Sequence, residues 1–523
     1  MSSWWRPGVA LGLVLALAAA TGASADRFAL DISPATTRPA LEAAVKDLGG
    51  SVIYFHSAAG IAVIDAPAGS VSAGGLSSVG VAAAFPDFRV TLPKIDPTTA
   101  PSTTPPPKAP IPKQTATKLQ FLSAPISQAP ADPLWPQQWA PRSLHAEGAW
   151  AAGVTGKCVR VAVVDTGMWW DHPDLAGRVD ADFAKSFVAG KQPYEDNWAE
   201  GYWHASHVAG IVAASLNGYG VVGVAPEATI IPVKVLDNGS GWFSDVMAGI
   251  VYAATSVEKG GAGADIINLS LGGSTRMSDP GSGHEWGLFL TKVMNYATAQ
   301  GVFVAAAAGN DGLDLDRLAN IFFTPCENGN TVCVSSAGPR HICSACECAP
   351  VTGAIAFPSI YTCPCTTSPP WPLAMTQQPA SYTNYGRSAI WVAGPGGDNS
   401  ARWETPQWPC WRHDRVLGVG SPNPEGYKTL PRFVHFTGTS MATPAVAGVA
   451  ALVIHNKAKR QAVDLCAPRA AGRPRNPMTP GQVKTALAQG AVVPGGAGAS
   501  DYYGHGIVDV GTTLGYPQPP WAD

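Results

Sequence analysis

Three residues of this 523-residue chain, Asp165, His204 and Ser440, are of the types that nucleophilic acyl transfer needs. A serine hydroxyl is a poor nucleophile near neutral pH and needs a base within hydrogen-bond reach. A histidine can take that proton and later deliver it to a leaving group. A carboxylate can fix the imidazole tautomer and stabilise the imidazolium. A fourth residue, Asn310, carries an amide able to donate to a developing oxyanion. Taken singly, each has a plainer role. Asp165 or Ser440 can cap a helix, His204 can sit on the surface, and Asn310 can be a turn residue in Gly309-Asn310-Asp311-Gly312.

The elements around them narrow the choice. Ser440 stands in a stretch, 436–452, that reads as a tight turn running into a helix apolar on nearly every side, which makes it a core helix. Gly438 permits an unusual backbone just before the serine. Pro444 is expected in the first helical turn, where its missing N–H is no loss. A serine at a helix N-terminus is surrounded by free N–H groups in a positive field, which favours negative charge beside its oxygen. Residues 161–164 followed by Asp165 predict a buried parallel strand with a carboxylate at its C-terminal end. Catalytic groups of open α/β sheets gather at that edge. His204 opens another small-residue helix. Strands at 159–164, 229–235, 266–270 and 302–306, separated by helical stretches, predict an α/β fold with a mostly parallel sheet.

Asp165-Thr166-Gly167, His204-Ala205-Ser206-His207-Val208-Ala209-Gly210 and Gly438-Thr439-Ser440-Met441-Ala442-Thr443-Pro444 resemble, in this order, three motifs of the subtilisin-like serine proteases, the subtilases. Ala306-Ala307-Ala308-Gly309-Asn310-Asp311-Gly312 is similar to the family's oxyanion-hole segment. Asn268-Leu269-Ser270-Leu271-Gly272-Gly273 is similar to its substrate-binding strand, and Gly220-Val221-Val222-Gly223-Val224-Ala225-Pro226 matches a further segment. The similarity runs from about Trp135 to Val510. It implies a subtilisin-like three-layer α/β/α fold and a serine endopeptidase acting on proteins or peptides through an acyl-enzyme. Asp165, His204 and Ser440 would be catalytic, and Asn310 would hold the oxyanion. Ser270, Leu271 and Gly272 would pair with the substrate backbone, and Gly309 would wall the first specificity pocket. The chemistry needs no cofactor. The family's calcium site uses the aspartate of His-Pro-Asp-Leu, here at 172–175, so Asp174 is a candidate calcium ligand. Its partner loop, 216–221, is one residue shorter than the family's. Ala205-Ser206 stand where the family usually has Gly-Thr, and Ala445 replaces a frequent histidine.

The alternative class is a non-catalytic binding protein on the same scaffold. Such a protein would be expected to have lost one of Asp165, His204, Asn310 or Ser440, and all four are present. An esterase of the α/β-hydrolase kind would need Gly-x-Ser-x-Gly and the order Ser, acid, His, and the chain has neither.

Residues 1–25 read as a secretory signal, with Arg6, an apolar run at 8–20 and Ala23-Ser24-Ala25, and imply an extracellular protein. Residues 26–95 read as a small α+β domain. Leu41, Val45 and Leu48 predict a helix over 39–48, followed by strands at 51–56 and 61–64 and a last one at 88–92. By position and pattern the domain resembles the ferredoxin-like inhibitory propeptide of subtilases, which acts as an intramolecular inhibitor until cleaved. An accessory domain kept in the mature protein is the other possibility. Residues 96–130 are a Pro/Thr-rich linker with an expected maturation cut between about 115 and 132. The catalytic domain then spans 131–523, with a Cys-rich insertion at about 340–379 and a Trp/Pro-rich one at about 399–432. Seven of the ten cysteines lie between Cys326 and Cys365. In a secreted chain disulfides fit better than zinc, with the connectivity open. A net charge of −3 without basic runs gives no nucleic-acid surface, and no later run of about 18 apolar residues suggests a membrane span. A monomer is expected.

Overall fold

The computed structural model describes residues 26–92, 119–120, 125–196, 203–276, 284–318, 320–339, 377–398, 415–420, 433–467, 476–494 and 500–519. The signal segment, most of the linker, the Cys-rich insertion up to 376 and most of the Trp/Pro-rich insertion lie outside them.

The N-terminal unit comprises strands β1 (Asp26–Ile32), β2 (Ser51–His56), β3 (Ile61–Ala66) and β4 (Val81–Pro86), with helix α1 (Arg38–Asp47) after β1. A short helix, Ala73–Leu76, precedes β4, and the strands form an antiparallel sheet in the order β2-β3-β1-β4, the β-α-β-β-α-β arrangement of ferredoxin-like folds. Alternation along β1 explains its two faces. Phe28, Leu30 and Ile32 point into a private core with Leu41 and Val45 of α1. Ala29 faces the other way and, with Ile61 and Phe85, joins the core of the larger body. The expected helix and the strands at 51–56 and 61–64 are present. β5 (Arg89–Thr91) does not join this sheet; it leaves the unit to pair elsewhere, as described below.

The larger body is built on β6 (Arg160–Asp165), β7 (Lys185–Ser186), β8 (Thr229–Lys234), β9 (Ser240–Trp242), β10 (Ile266–Leu269), β11 (Gly273–Arg276), β12 (Phe303–Ala307), β13 (Ile321–Thr324), β14 (Val332–Gly338), β15 (Gln378–Pro379) and β16 (Val392–Pro395). Eight of these form one sheet in the order β15-β14-β12-β10-β6-β8-β7, with β16 also on β14. Every pairing in it is parallel except β14 with β15. The main helices are α2 (His204–Ala213), α3 (Phe243–Ala254), α4 (His284–Ala299) and α5 (Thr439–Arg460).

Three layers follow from the period of two along buried strands. Val161 and Val163 of β6 pack with α2 and α5 on one face. Ala162 and Val164 pack with α3 and α4 on the other. Strand order reverses at β6, with β8 on one side and β10 on the other. Such a reversal opens a crevice at the C-terminal ends of the strands, where ligands of open α/β sheets bind. Asp165 closes β6 and Ser270 follows β10 at that crevice. Cys158 is bonded to Cys466 and Cys326 to Cys333. Cysteines 343, 346, 348, 363, 365 and 410 lie outside the described residues.

Candidate active site

Asp165 is fully buried, and both its carboxylate oxygens lie 2.9 Å from Nδ1 of His204, the first residue of α2. Its Oδ1 also accepts the N–H of Thr166 at 2.7 Å, which holds the carboxylate square to the imidazole. Burial acts against a charged imidazole; the Asp165 carboxylate more than offsets it, and the His204 pKa is raised.

Gly438 enters α5 at φ 150°, ψ 159°, a region open to glycine alone. Ser440 is the second residue of the helix, so its N–H has no carbonyl one turn back to donate to. Pro444 does not fall in the first turn, as the sequence suggested, because the helix starts at Thr439 and runs through the proline. The displacement has a use. Without an N–H on Pro444, the Ser440 carbonyl is freed from its helical partner, and it accepts Ser270 Oγ at 2.8 Å instead. In return Ser440 Oγ donates to the Ser270 carbonyl at 3.0 Å. Asn268 Nδ2 donates to Ser270 Oγ at 2.9 Å and fixes its lone pairs. These bonds lock the serine helix onto the segment after β10.

Among the described residues no hydrogen bond joins Ser440 Oγ to His204. To reach the imidazole the hydroxyl has to turn away from the Ser270 carbonyl to which it donates, a tightening common between free and substrate-bound sites.

Asn310 follows β12. Its Oδ1 accepts both the N–H and the hydroxyl of Thr439, each at 2.9 Å. With the oxygen so engaged, Nδ2 faces away from Thr439, on the side of Gly438. A Cβ placed on Gly438 would lie 3.4 Å from it. The same Cβ would lie 3.5 Å from Ser440 N, so Asn310 Nδ2 and the Ser440 N–H are two donors on one side of Gly438.

Asn384, which gave no sequence signal, sets this loop. It is fully buried, accepts Asp311 and Leu313 N–H at 3.0 Å each, and donates to the Ala308 carbonyl at 2.9 Å. Its own N–H donates to the Gly309 carbonyl. Gly309 has φ 101°, and a Cβ there would meet Asn384 Nδ2 at 2.4 Å, so only glycine fits.

Ser270, Leu271 and Gly272 run from the crevice into β11, with Leu271 buried. The other wall of the groove is β9. There β5 is seated, antiparallel, with Val90 opposite Gly241 and Leu92 N–H donating to the Gly239 carbonyl at 2.7 Å. Val90 also touches the far wall, since a Cβ on Gly273 would lie 3.2 Å from its Cγ1. Chain 89–92 therefore lies between β9 and Gly273, at the start of β11.

Asp174 lies away from this cluster and is fully buried. Its Oδ2 accepts Val221 N–H at 2.9 Å and its Oδ1 accepts Asn217 Nδ2 at 3.3 Å. Asp132 Oδ1 accepts the N–H groups of Asn217, Gly218 and Tyr219. Burial pushes Asp174 up to about 8. Loop 216–221 thus presents N–H groups, not carbonyls, to both carboxylates. With its N–H groups turned to the two carboxylates, the loop falls short of the six to eight oxygens calcium needs, although Asp132 Oδ2 is buried without a hydrogen-bond partner among the described residues. Among the described residues no cluster of three or more His, Cys, Asp or Glu side chains could hold a metal.

A family model for the subtilase family matches residues 156–506. Thermitase of Thermoactinomyces vulgaris is 32% identical over 333 residues, covering 62% of this chain and 85% of thermitase. Subtilisin NAT of Bacillus subtilis subsp. natto is 32% identical over 313 residues, 60% of this chain and 58% of that protein. The crystal structure of the epidermin leader peptide processing serine protease from Staphylococcus aureus has a TM-score of 0.62 at 18% identity, over 94% of this chain and 98% of the other. At that identity the likeness speaks for the fold alone. With the family's match over 156–506 added to the fold and to the grouping of aspartate, histidine, serine and asparagine at one crevice, the chain belongs to the subtilases and is a serine-type endopeptidase.

Proposed function

We propose that Ser440 is the nucleophile, His204 the general base and then acid, Asp165 the orienting carboxylate, and Asn310 with Ser440 N–H the oxyanion donors. The observation that carries this is the seating of Asp165 against His204 Nδ1 at the same crevice as the N-terminus of the serine helix. Ser440 Oγ attacks the scissile carbonyl while His204 takes its proton. The tetrahedral oxyanion is held by the two donors, and His204 returns the proton to the leaving amine. Water then repeats the sequence on the acyl-enzyme. Ser270–Gly272 and β9 pair with the substrate backbone as flanking strands, which gives affinity with little demand on sequence.

We infer further that the chain is secreted as a self-processing zymogen in which residues 26–95 are the inhibitory propeptide. This is supported by β5 filling the groove beside β9 and by the aromatic seat beneath it. Phe88 stacks on Phe243 at 4.7 Å and meets Trp286 edge-on, while Phe85 stacks on Phe289. Arg27 pairs with Asp245 at 2.8 Å, and Lys292 pairs with Asp31. A monomer suffices for this arrangement.

The test compares wild type with Ser440→Ala by denaturing gel and N-terminal sequencing. Wild type is expected to split within the linker and to cleave peptides. The variant should stay intact, with turnover lower by on the order of 10⁶-fold. If both proteins split alike, another protease matures the chain and self-processing is wrong. A folded wild type that hydrolyses no peptide would return the choice to a binding protein on this scaffold.

A further inference from the structure

Behind the Asp165–His204 pair lies a second buried acid, Asp196, which the acyl-transfer steps do not use. Its carboxylate accepts Thr166 Oγ at 2.9 Å, Ser206 Oγ at 2.7 Å and Ser206 N–H at 3.2 Å. Both hydroxyls are also acceptors. Thr166 Oγ takes Ala205 N–H at 3.2 Å, and Ser206 Oγ takes Trp169 N–H at 3.0 Å. Each hydroxyl proton is thereby directed at Asp196.

The reason lies in α2. Its N-cap residue is Trp203, which makes no side-chain cap bond. The first-turn N–H groups must find acceptors elsewhere. Ala205 finds Thr166, the residue after Asp165, and Ser206 finds Asp196. The helix that begins with His204 is therefore capped by the strand end that bears Asp165 and by this second acid. Ser206, which stands where the family usually has threonine, keeps the hydroxyl that the clamp uses.

We propose that Asp196 is a positioning residue of the catalytic pair. It clamps Thr166 to Ser206 so that the His204 ring stays across Asp165, and its charge supports the imidazolium formed in acyl transfer. The inference rests on the triad roles given above. Around Asp196, burial raises its carboxyl to about 7, the Ser206 and Thr166 hydroxyls and Lys234 of β8 lower it, and Asp165 of β6 raises it. The Lys234 ammonium is itself held by the carbonyls of Thr166, Glu195 and Leu236 and by Asp237. His207, on α2, is kept neutral because burial pushes it down to about 3. On His204, burial acts downward, and Asp165 followed by Asp196 acts upward.

Asp196→Asn keeps the shape and removes the charge. With a peptide substrate, kcat should fall about 10-fold, KM should hold, and the acid limb of the pH profile should move to lower pH. In a Ser440→Ala background, NMR titration should show the His204 pKa lowered by Asp196→Asn. This arm needs no activity, so it still judges Asp196 if the triad reading itself fails. An unchanged acid limb and an unchanged His204 titration would make Asp196 a structural cap only, whatever happens to the melting temperature, and overturn the proposal. Should the Asn variant not fold, Ser206→Ala removes one clamp bond and leaves the charge. A kcat loss of about fivefold supports the clamp; no loss overturns it.

Discussion

Two helices of this protein begin after a tryptophan that cannot cap them, and they borrow their caps from different places. α2 follows Trp203 and is capped by Thr166 and Asp196, both within the catalytic body. α3 follows Trp242, which also makes no side-chain cap bond. Its first N–H, from Phe243, donates to the Phe88 carbonyl, and its second, from Ser244, donates to Asp87 Oδ1 at 3.2 Å. Both acceptors belong to the N-terminal unit. The physical device is the same, an orphan N–H satisfied at a distance. Under the proposed zymogen, the first stays with the proposed catalytic histidine and the second leaves with the N-terminal unit. A residue's importance to turnover should therefore depend on which cap it serves.

Asn310→Ala tests the permanent side with the largest effect. It removes the side-chain amide proposed to hold the oxyanion, and kcat should fall by about 10²–10³-fold with KM little changed. Docking of residues 26–92 should not alter. A kinetic loss that appears in KM instead would mean that Asn310 binds substrate and does not hold the transition state.

On the removable side, Phe88→Ala takes away a ring stacked on Phe243 and set edge-on to Trp286. Truncating a central aromatic anchor of this kind costs about 2 kcal/mol of docking, or roughly 30-fold in affinity. The measure is release of the N-terminal unit on size exclusion after the linker has been nicked by an added protease. Turnover of the freed body should match wild type. Loss of turnover in the freed body would erase the distinction between the two sides.

A smaller effect comes from the cap itself and carries a sign in pH. Burial is the main cause that raises Asp87 to about 6 and Asp245 to about 7 in the docked state. A carboxyl raised on docking favours the docked form at low pH, and that contribution is lost as pH rises through the docked value. His56 works the other way. Burial, followed by Lys259, lowers it against α3 and α4, so its share is lost as pH falls through its docked value, below 6.5. From pH 8 to pH 6 docking should tighten, and in strong acid it should loosen again. Asp87→Ala should flatten the first change and weaken docking by about 1 kcal/mol. Tighter docking at pH 8 than at pH 6 would sink this account.

The same contrast separates what could be seen in the sequence from what could not. Asp165, His204, Asn310 and Ser440 were legible because each sits where a strand or helix must end or begin. Gly309 and Gly438 mark two positions beside the site whose backbone favours glycine. The parallel sheet was legible from runs such as 161–164, buried on both faces. Asp196 was not, because its partners Thr166 and Ser206 are distant in sequence and show no periodicity. Asn384 was hidden for the same reason. β4 gave no signal because half of Val81–Pro86 is alanine, with little contrast between its faces. The strand at 88–92 was expected, but its partner was not. An edge strand pairs with whatever edge it meets, and alternation carries no record of which.

The smallest expected effect concerns the third set of borrowed N–H groups, around Asp174 and Asp132. In a calcium site a loop turns carbonyls toward the metal, and the carboxylates stay charged. Here the loop at 216–221 turns N–H groups toward both acids, and burial lifts Asp174 to about 8, so that it is largely neutral at pH 7. A chelator should therefore leave the melting temperature unchanged near neutral pH, and added calcium should not raise it. Asp174→Asn retains one acceptor for Val221 N–H and should cost little stability, about 1 kcal/mol or less. The sign in pH follows from the raised carboxyl. Its contribution to stability is full below the ordinary carboxylate range and falls away as pH rises through about 8, so wild type should lose more stability than the Asn variant between pH 6 and pH 9. A melting temperature that drops several degrees with chelator and recovers with calcium would show that the loop can turn its carbonyls inward. Asp174 would then be held by a cation, and the three borrowed caps would be two.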